Sequence, residues 1–200
     1  MGDYMYYLNE LVQSQIEIDK SIFISFIEPI HSLSDMDVIL KRIKKEYPKA
    51  THYCSAYVFE NSQGSNDDGE PSKTAGVPIL EILNHHQLTN CFAVVVRYFG
   101  GIKLGAGGLI RAYAKATKEA LNDAKLSKKV TKTIYEVVFT YEKISKIDLL
   151  FESLITDKVY LEDCIYELSF EDDFSLLETH EYLFKKIQKK GTKEVLVPWK

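Results

Sequence analysis

Five of the chain's ten glycines fall between Gly100 and Gly108, within the segment Arg97-Tyr98-Phe99-Gly100-Gly101-Ile102-Lys103-Leu104-Gly105-Ala106-Gly107-Gly108-Leu109-Ile110-Arg111-Ala112-Tyr113. That is more glycine than a turn needs. The cluster lies between an apolar run, Cys91–Val96, that reads as a buried central strand and an amphipathic helix that begins near Gly107. Glycine tolerates positive φ and lets the backbone approach another group closely. A glycine-dense turn into a helix also leaves amide N–H groups free where the helix dipole favours anions. The segment therefore points to an anion, with phosphate the first candidate.

Charge patterning agrees. The net charge of −4 argues against a generally basic nucleic-acid binder, but it conceals a segregation. Residues 1–96 carry 7 Lys/Arg and 13 Asp/Glu, residues 97–129 carry 8 and 2, and residues 130–200 carry 10 and 14. Positive charge is concentrated in the turn and the helix that follows, and a local basic stripe matters more to a phosphate partner than the global sum.

Other compositional signals exclude function classes. At 46% hydrophobic and 27% charged, the chain has the balance of an ordinary globular protein. No apolar run approaches the ~20 residues that span a bilayer, and the N-terminus lacks the pattern of a secretory signal. Cys54, Cys91 and Cys164 are odd in number and each falls in an expected strand, so they read as reduced, buried thiols of a cytoplasmic protein. His85-His86 has no Cys or His partner at ligand spacing, so no metal and no cofactor are expected.

Read for periodicity, residues 13–18 and 22–27 form a hairpin around Asp19-Lys20-Ser21. A helix capped by Ser34 or Asp35 runs to Tyr47, and 53–59 is a strand. The polar stretch 61–76 reads as a loop, and 77–86 as a short helix with Pro78 in its first turn. The next helix runs from Gly107 to about Asp123. After a restart at 126–130 come a strand at 133–140, a helix at 144–154 and two strands within 159–170. A helix over 174–190, ended by Gly191, and a last strand at 194–198 complete the chain. This second order, βαββαβ, is the split-βαβ or ferredoxin-like pattern.

On a helical projection Arg111, Lys115, Lys118 and Lys125 share a stripe opposite Leu109, Tyr113, Ala116 and Ala120. Arg97, at a strand end where ligands of α/β folds gather, either meets the ligand or pairs with a local carboxylate. Lys103 either reaches a phosphate as a point charge or is a surface lysine. In the second polar feature, Asp67-Asp68-Gly69-Glu70-Pro71-Ser72-Lys73-Thr74-Ala75-Gly76, Thr74 or Ser72 is expected to cap the next helix. The loop is long enough for a function of its own, involving Glu70, Lys73, Thr74 and Gly76. Its acidic spacing is not that of an EF-hand. Walker A, Gly-x-Ser-x-Gly and His-Glu-x-x-His motifs are absent from the sequence, and no catalytic residue is assigned.

Arg97-Tyr98-Phe99-Gly100-Gly101-x-Lys103-Leu104-Gly105-x-Gly107-Gly108-Leu109-x-Arg111-Ala112-Tyr113 resembles the signature of the IMPACT family, in its bacterial YigZ-type branch. Gly69-Glu70-Pro71-x-x-Thr74-Ala75-Gly76 and Thr51-His52-x-Cys54-x-Ala56-Tyr57 match in the same order. The resemblance covers about residues 16–124, and the remainder resembles the small C-terminal domain of the bacterial branch. It implies an α+β protein of two domains. Residues 1–128 would take the fold of ribosomal protein S5 domain 2, shared with elongation-factor domain IV, the ribonuclease P protein and small-molecule kinases. Residues 129–200 would be ferredoxin-like, resembling elongation-factor domain V. Eukaryotic relatives act on the starvation response through an additional N-terminal domain, for which no room is expected before Gln13. The expected partner is RNA or the ribosome, with no membrane. It would be met by Arg97, Gly100, Gly101, Lys103, Gly105, Gly107, Gly108, Arg111, Lys115 and Lys118. The alternatives are a protein partner on the same surface, or an enzyme acting on a phosphorylated small molecule or nucleotide.

Overall fold

The hairpin at the start of the chain is set by two residues. In the computed structural model, which describes residues 5–199, Asp19 and Lys20 both adopt positive φ, at 47° and 64°. Such a turn matches the right-handed twist of its strands, β2 (Val12–Ile18) and β3 (Ser21–Pro29). Before them lies β1 (Tyr6–Leu8). Next come α1 (Asp35–Glu46), β4 (His52–Phe59), β5 (Ser62–Asn66), α2 (Gly76–His85), β6 (Leu88–Thr89), β7 (Cys91–Tyr98) and α3 (Gly105–Ala120). The later elements are β8 (Leu126–Phe139), α4 (Ile144–Phe151), β9 (Ile155–Tyr160), β10 (Cys164–Phe170), α5 (Ser175–Thr179) and β11 (Lys186–Pro198).

The fold is α+β. The chain divides into two compact units, Met1–Lys128 with Pro198–Lys200, and Lys129–Val197. In the first, β2-β3-β7-β4-β5 form an antiparallel sheet with β7 at its centre. Cys91, Ala93 and Val95 face a core shared with α2 and α3, while Phe92, Val94 and Val96 face one shared with α1. Burial on both faces explains the unbroken apolar run. The same alternation carries Arg97 to the α2/α3 face, where register sets it between Phe23 and His52. β1 pairs in parallel with β6 and antiparallel with the first residues of β8.

In the second unit, β10 pairs antiparallel with Thr133–Phe139 of β8 and with β9, and β11 pairs with β8. The strand order is therefore β11-β8-β10-β9. Ile147 and Phe151 of α4 pack against Val137, Phe139, Tyr166 and Leu168.

Four local expectations are corrected. Residues 62–66 form an edge strand, not loop: β5 pairs only with β4 and is mostly exposed, so its polar Ser-Gln-Gly-Ser-Asn sequence hides it. The expected helix over 174–190 is the single turn α5, a 3₁₀ turn at Glu181–Leu183 and the start of β11. Gly191, at φ 142°, lies within that strand and does not end a helix. Ser34 makes no side-chain cap; the Asp35 carboxylate instead accepts N–H bonds from His31 and Ser32, at 2.8 and 3.0 Å. Lastly, α3 ends at Ala120, so Lys125 lies outside the helical stripe and pairs with Glu10 at 3.0 Å.

Candidate functional site

The two polar segments singled out in the sequence meet on the α2/α3 face of the sheet. Glu70 projects from the loop between β5 and α2, and its side chain is 4% exposed. One carboxylate oxygen accepts from Arg97 Nη1 at 2.5 Å and from the Tyr113 hydroxyl at 2.8 Å. The Arg97 guanidinium lies 5.5 Å from the ring centroids of both Phe23 and Phe99. Arg97 thus takes the local carboxylate, the structural alternative left open by the sequence. It does so incompletely, because Nε is buried without an acceptor among the described residues and Nη2 reaches Ser21 Oγ only at 3.5 Å.

Around this pair lies a shell of oriented groups. His52 Nδ1 is 2.8 Å from the Asp68 carbonyl. A carbonyl only accepts, so Nδ1 carries the proton, and Nε2 faces Glu70 Oε2 at 3.9 Å. Cys54 Sγ lies 2.9 Å from the Asp67 carbonyl and 3.2 Å from the Tyr113 hydroxyl. Burial pushes the Cys54 thiol up to about 12 and raises Tyr113 further above the phenol range. Both stay protonated and act as donors, not nucleophiles.

The acidic loop is held by its own backbone. Asp67 accepts N–H bonds from Lys73 at 2.7 Å, Ala75 at 3.1 Å and Gly76 at 2.8 Å. Burial alone would raise its carboxyl, but these three donors outweigh burial and hold it below the ordinary carboxylate range. Asp68 accepts from the Tyr53 N–H at 2.7 Å. Asp67, Asp68 and Glu70 therefore face three different structural partners. Neither Thr74 nor Ser72 caps α2; Thr74 Oγ1 donates to the Pro71 carbonyl at 2.6 Å, and Asp67 serves the helix start instead. Lys73 is exposed at φ 63°, and Gly76 is buried where a Cβ would come within 2.8 Å of the Asn66 backbone.

The glycine turn is the more open partner. Gly100 is required by packing, since a Cβ there would overlap the Lys20 carbonyl, and Gly105 by conformation, at φ 68°. Gly101 and Gly107 are exposed, and Gly108 packs on Leu104. A Cβ at Gly107 would meet only Arg111 Nη1, at 3.5 Å, so packing gives no reason for glycine there. Leu104, which precedes α3, offers no side-chain cap, and the first turn holds no acidic residue. Lys103, Arg111, Lys115 and Lys118 are all exposed, whereas Ala112, Tyr113, Ala116 and Ala120 are buried. Phe99, Tyr113 and Cys54 also belong to this site, although no local pattern assigned them a role there. A tyrosine, where phenylalanine would fill the same buried position, is the signal for a hydroxyl partner.

Together these features define an α+β protein whose central strand delivers a buried Arg–Glu pair to a glycine turn and a cation-lined helix. The model of the Impact N-terminal domain matches residues 19–121, which include every residue of this site, and the chain belongs to the IMPACT family. It is 44% identical over 144 residues to IMPACT family member YvyE of Bacillus subtilis, covering 70% of this chain and 66% of that protein. To IMPACT family member YigZ of Escherichia coli it is 37% identical over 139 residues, covering 67% and 68%. The chain thus matches about two thirds of the length of these relatives. A solved structure titled as that of an hypothetical protein aligns with a TM-score of 0.61 at 26% identity, over 94% of this chain and 97% of that one.

Proposed function

We propose that this chain is a translation-associated protein that binds RNA or the ribosome through the glycine turn and the exposed flank of α3. One observation carries this reading. Residues 82–118 contain no Asp or Glu, and within them Lys103, Arg111, Lys115 and Lys118 are exposed. Among the described residues no salt bridge joins any of these four to a carboxylate, whereas Lys125, Lys158, Lys185 and Lys190 are each paired. An unneutralised cationic stripe beside glycine backbone suits a phosphate chain.

The domain reading is part of the same proposal: an S5 domain 2-like domain over 1–128 and a ferredoxin-like domain over 129–200. The βαββαβ order and the β11-β8-β10-β9 arrangement support the second assignment. The link to translation rests on family membership and on the resemblance of both domains to elongation-factor domains. A cytoplasmic site of action is consistent with it, and no helix among the described residues is long and apolar enough to cross a membrane.

Filter binding to a structured RNA at two salt concentrations tests the proposal. Affinity is expected to fall with salt, by a log–log slope of roughly 0.7 to 0.9 per phosphate contact. The Arg111→Glu/Lys115→Glu variant is expected to abolish it. No binding at low salt, or binding indifferent to that variant, overturns the reading. Recovery of one protein without ribosomes in a pull-down would favour a protein partner instead.

A further inference from the structure

We propose that the cavity beside the glycine turn is a binding site for a small phosphate monoester carrying a planar ring, the size of a mononucleotide. The cavity holds about 360 Å³ and is lined by Glu70, Pro71, Arg97, Phe99, Lys103 and Ala106, among others. Small-molecule sites run from roughly 300 to 1,000 Å³, so one nucleotide fits, free or as the terminal unit of a chain.

Four observations select the ligand. Arg97 has a side chain 6% exposed, and its Nε is buried with no acceptor among the described residues. A buried guanidinium donor left unmatched calls for a partner, and an anionic oxygen is the strongest acceptor available. Gly105 and Ala106, the first residues of α3, line the same cavity, and no side chain caps that helix. Their free amides add a second anion-binding device. Glu70 already balances Arg97, so the excess positive charge comes from Lys103 and the helix terminus, which suits a single phosphate group. Phe99 is 47% exposed and, with Pro71 and Leu104, offers an apolar wall on which a ring can stack.

The site shares the glycine turn and Lys103 with the proposed RNA surface but uses neither Lys115 nor Lys118, so the two can be tested apart. Its ligand has two sources with one chemistry: a free mononucleotide, or the 5′-phosphorylated end of an RNA.

Calorimetric titration of the full chain with adenosine monophosphate, against adenosine, tests it. The nucleotide is expected to bind and the nucleoside not. Ala106→Asp is the diagnostic variant: Ala106 is exposed and aspartate suits a first helical turn, so the fold is retained while a carboxylate occupies the phosphate position. It is expected to lower affinity at least about tenfold, with a smaller loss in Lys103→Gln. No nucleotide binding at millimolar concentration, equal binding of adenosine, or an Ala106→Asp protein that binds normally each overturns the proposal. Displacement by a 5′-phosphorylated but not a 5′-hydroxyl oligoribonucleotide assigns the RNA end; displacement by neither assigns the free nucleotide. If Arg111→Glu/Lys115→Glu loses RNA and keeps the nucleotide, the surface and the cavity are separate sites. Nucleotide binding without any RNA binding removes the proposed function and leaves this site standing.

Discussion

Two segments of this protein are built alike: each leads from a strand, through glycines and a lysine, into a helix. They use the helix start in opposite ways. Before α2, the Asp67 carboxylate takes the Lys73, Ala75 and Gly76 amides, so the anion a helix terminus attracts is supplied from within the chain. Before α3, no carboxylate stands between residues 82 and 118, no side chain caps the helix, and among the described residues the neighbouring cations form no salt bridge. The same device is closed in one place and open in the other. The lesson is that a polar, glycine-bearing loop reveals a ligand site only by what its own side chains fail to satisfy.

The largest expected effect comes from the contact that joins the two segments. Glu70→Ala strands the buried Arg97 guanidinium and is expected to cost about 3–5 kcal/mol in chemical denaturation. An unchanged midpoint would show that the two segments fold independently of this pair. Gly100→Ala drives a methyl into the Lys20 carbonyl and is expected to cost about 1–3 kcal/mol, which thermal unfolding will read. Asp67→Ala opens the closed helix start, for a loss of about 1–2 kcal/mol. Asp67 also predicts an acid dependence. Its folded-state carboxyl lies below the ordinary value of 3.8, so its contribution is complete above that value and disappears as pH falls through the folded-state value. Asp67→Asn is expected to flatten stability in that window, and an unchanged acid limb would count against the three-donor clamp.

At the open helix start the signs invert. Gly107→Ala is expected to stabilise the fold by about 0.5–1 kcal/mol, since alanine favours helix and meets no backbone there. A loss of stability would show that Gly107 serves the fold and not a partner. Smallest of all, Arg111→Glu/Lys115→Glu is expected to leave stability within about 0.5 kcal/mol while RNA affinity collapses, so matched denaturation and binding curves separate the two roles.

Much of this was legible before any tertiary contact. The apolar run at 91–96 announced a strand buried on both faces, and the alternation of polar and apolar residues after Gly107 placed Arg111, Lys115 and Lys118 on the exposed side of α3. Pro78 marked the first turn of α2, where its missing N–H costs nothing. Other elements escaped the same reading. β5 is polar on both faces, so alternation had nothing to report, and 174–190 mixes apolar spacings that suit a helix until β8 claims residues from 186 onward.

Periodicity within a few residues was enough to place the first hairpin, the central strand and the cationic face of α3. Long-range packing sets the rest: Asp67 closes one helix start, Glu70 neutralises Arg97, and Arg97 Nε has no partner among the described residues. The reason is distance along the chain. Glu70 and Arg97 are 27 residues apart, and Tyr113 lies 43 beyond Glu70. No local pattern encodes a partner that only the packing of the Glu70 loop and α3 against the sheet brings within reach.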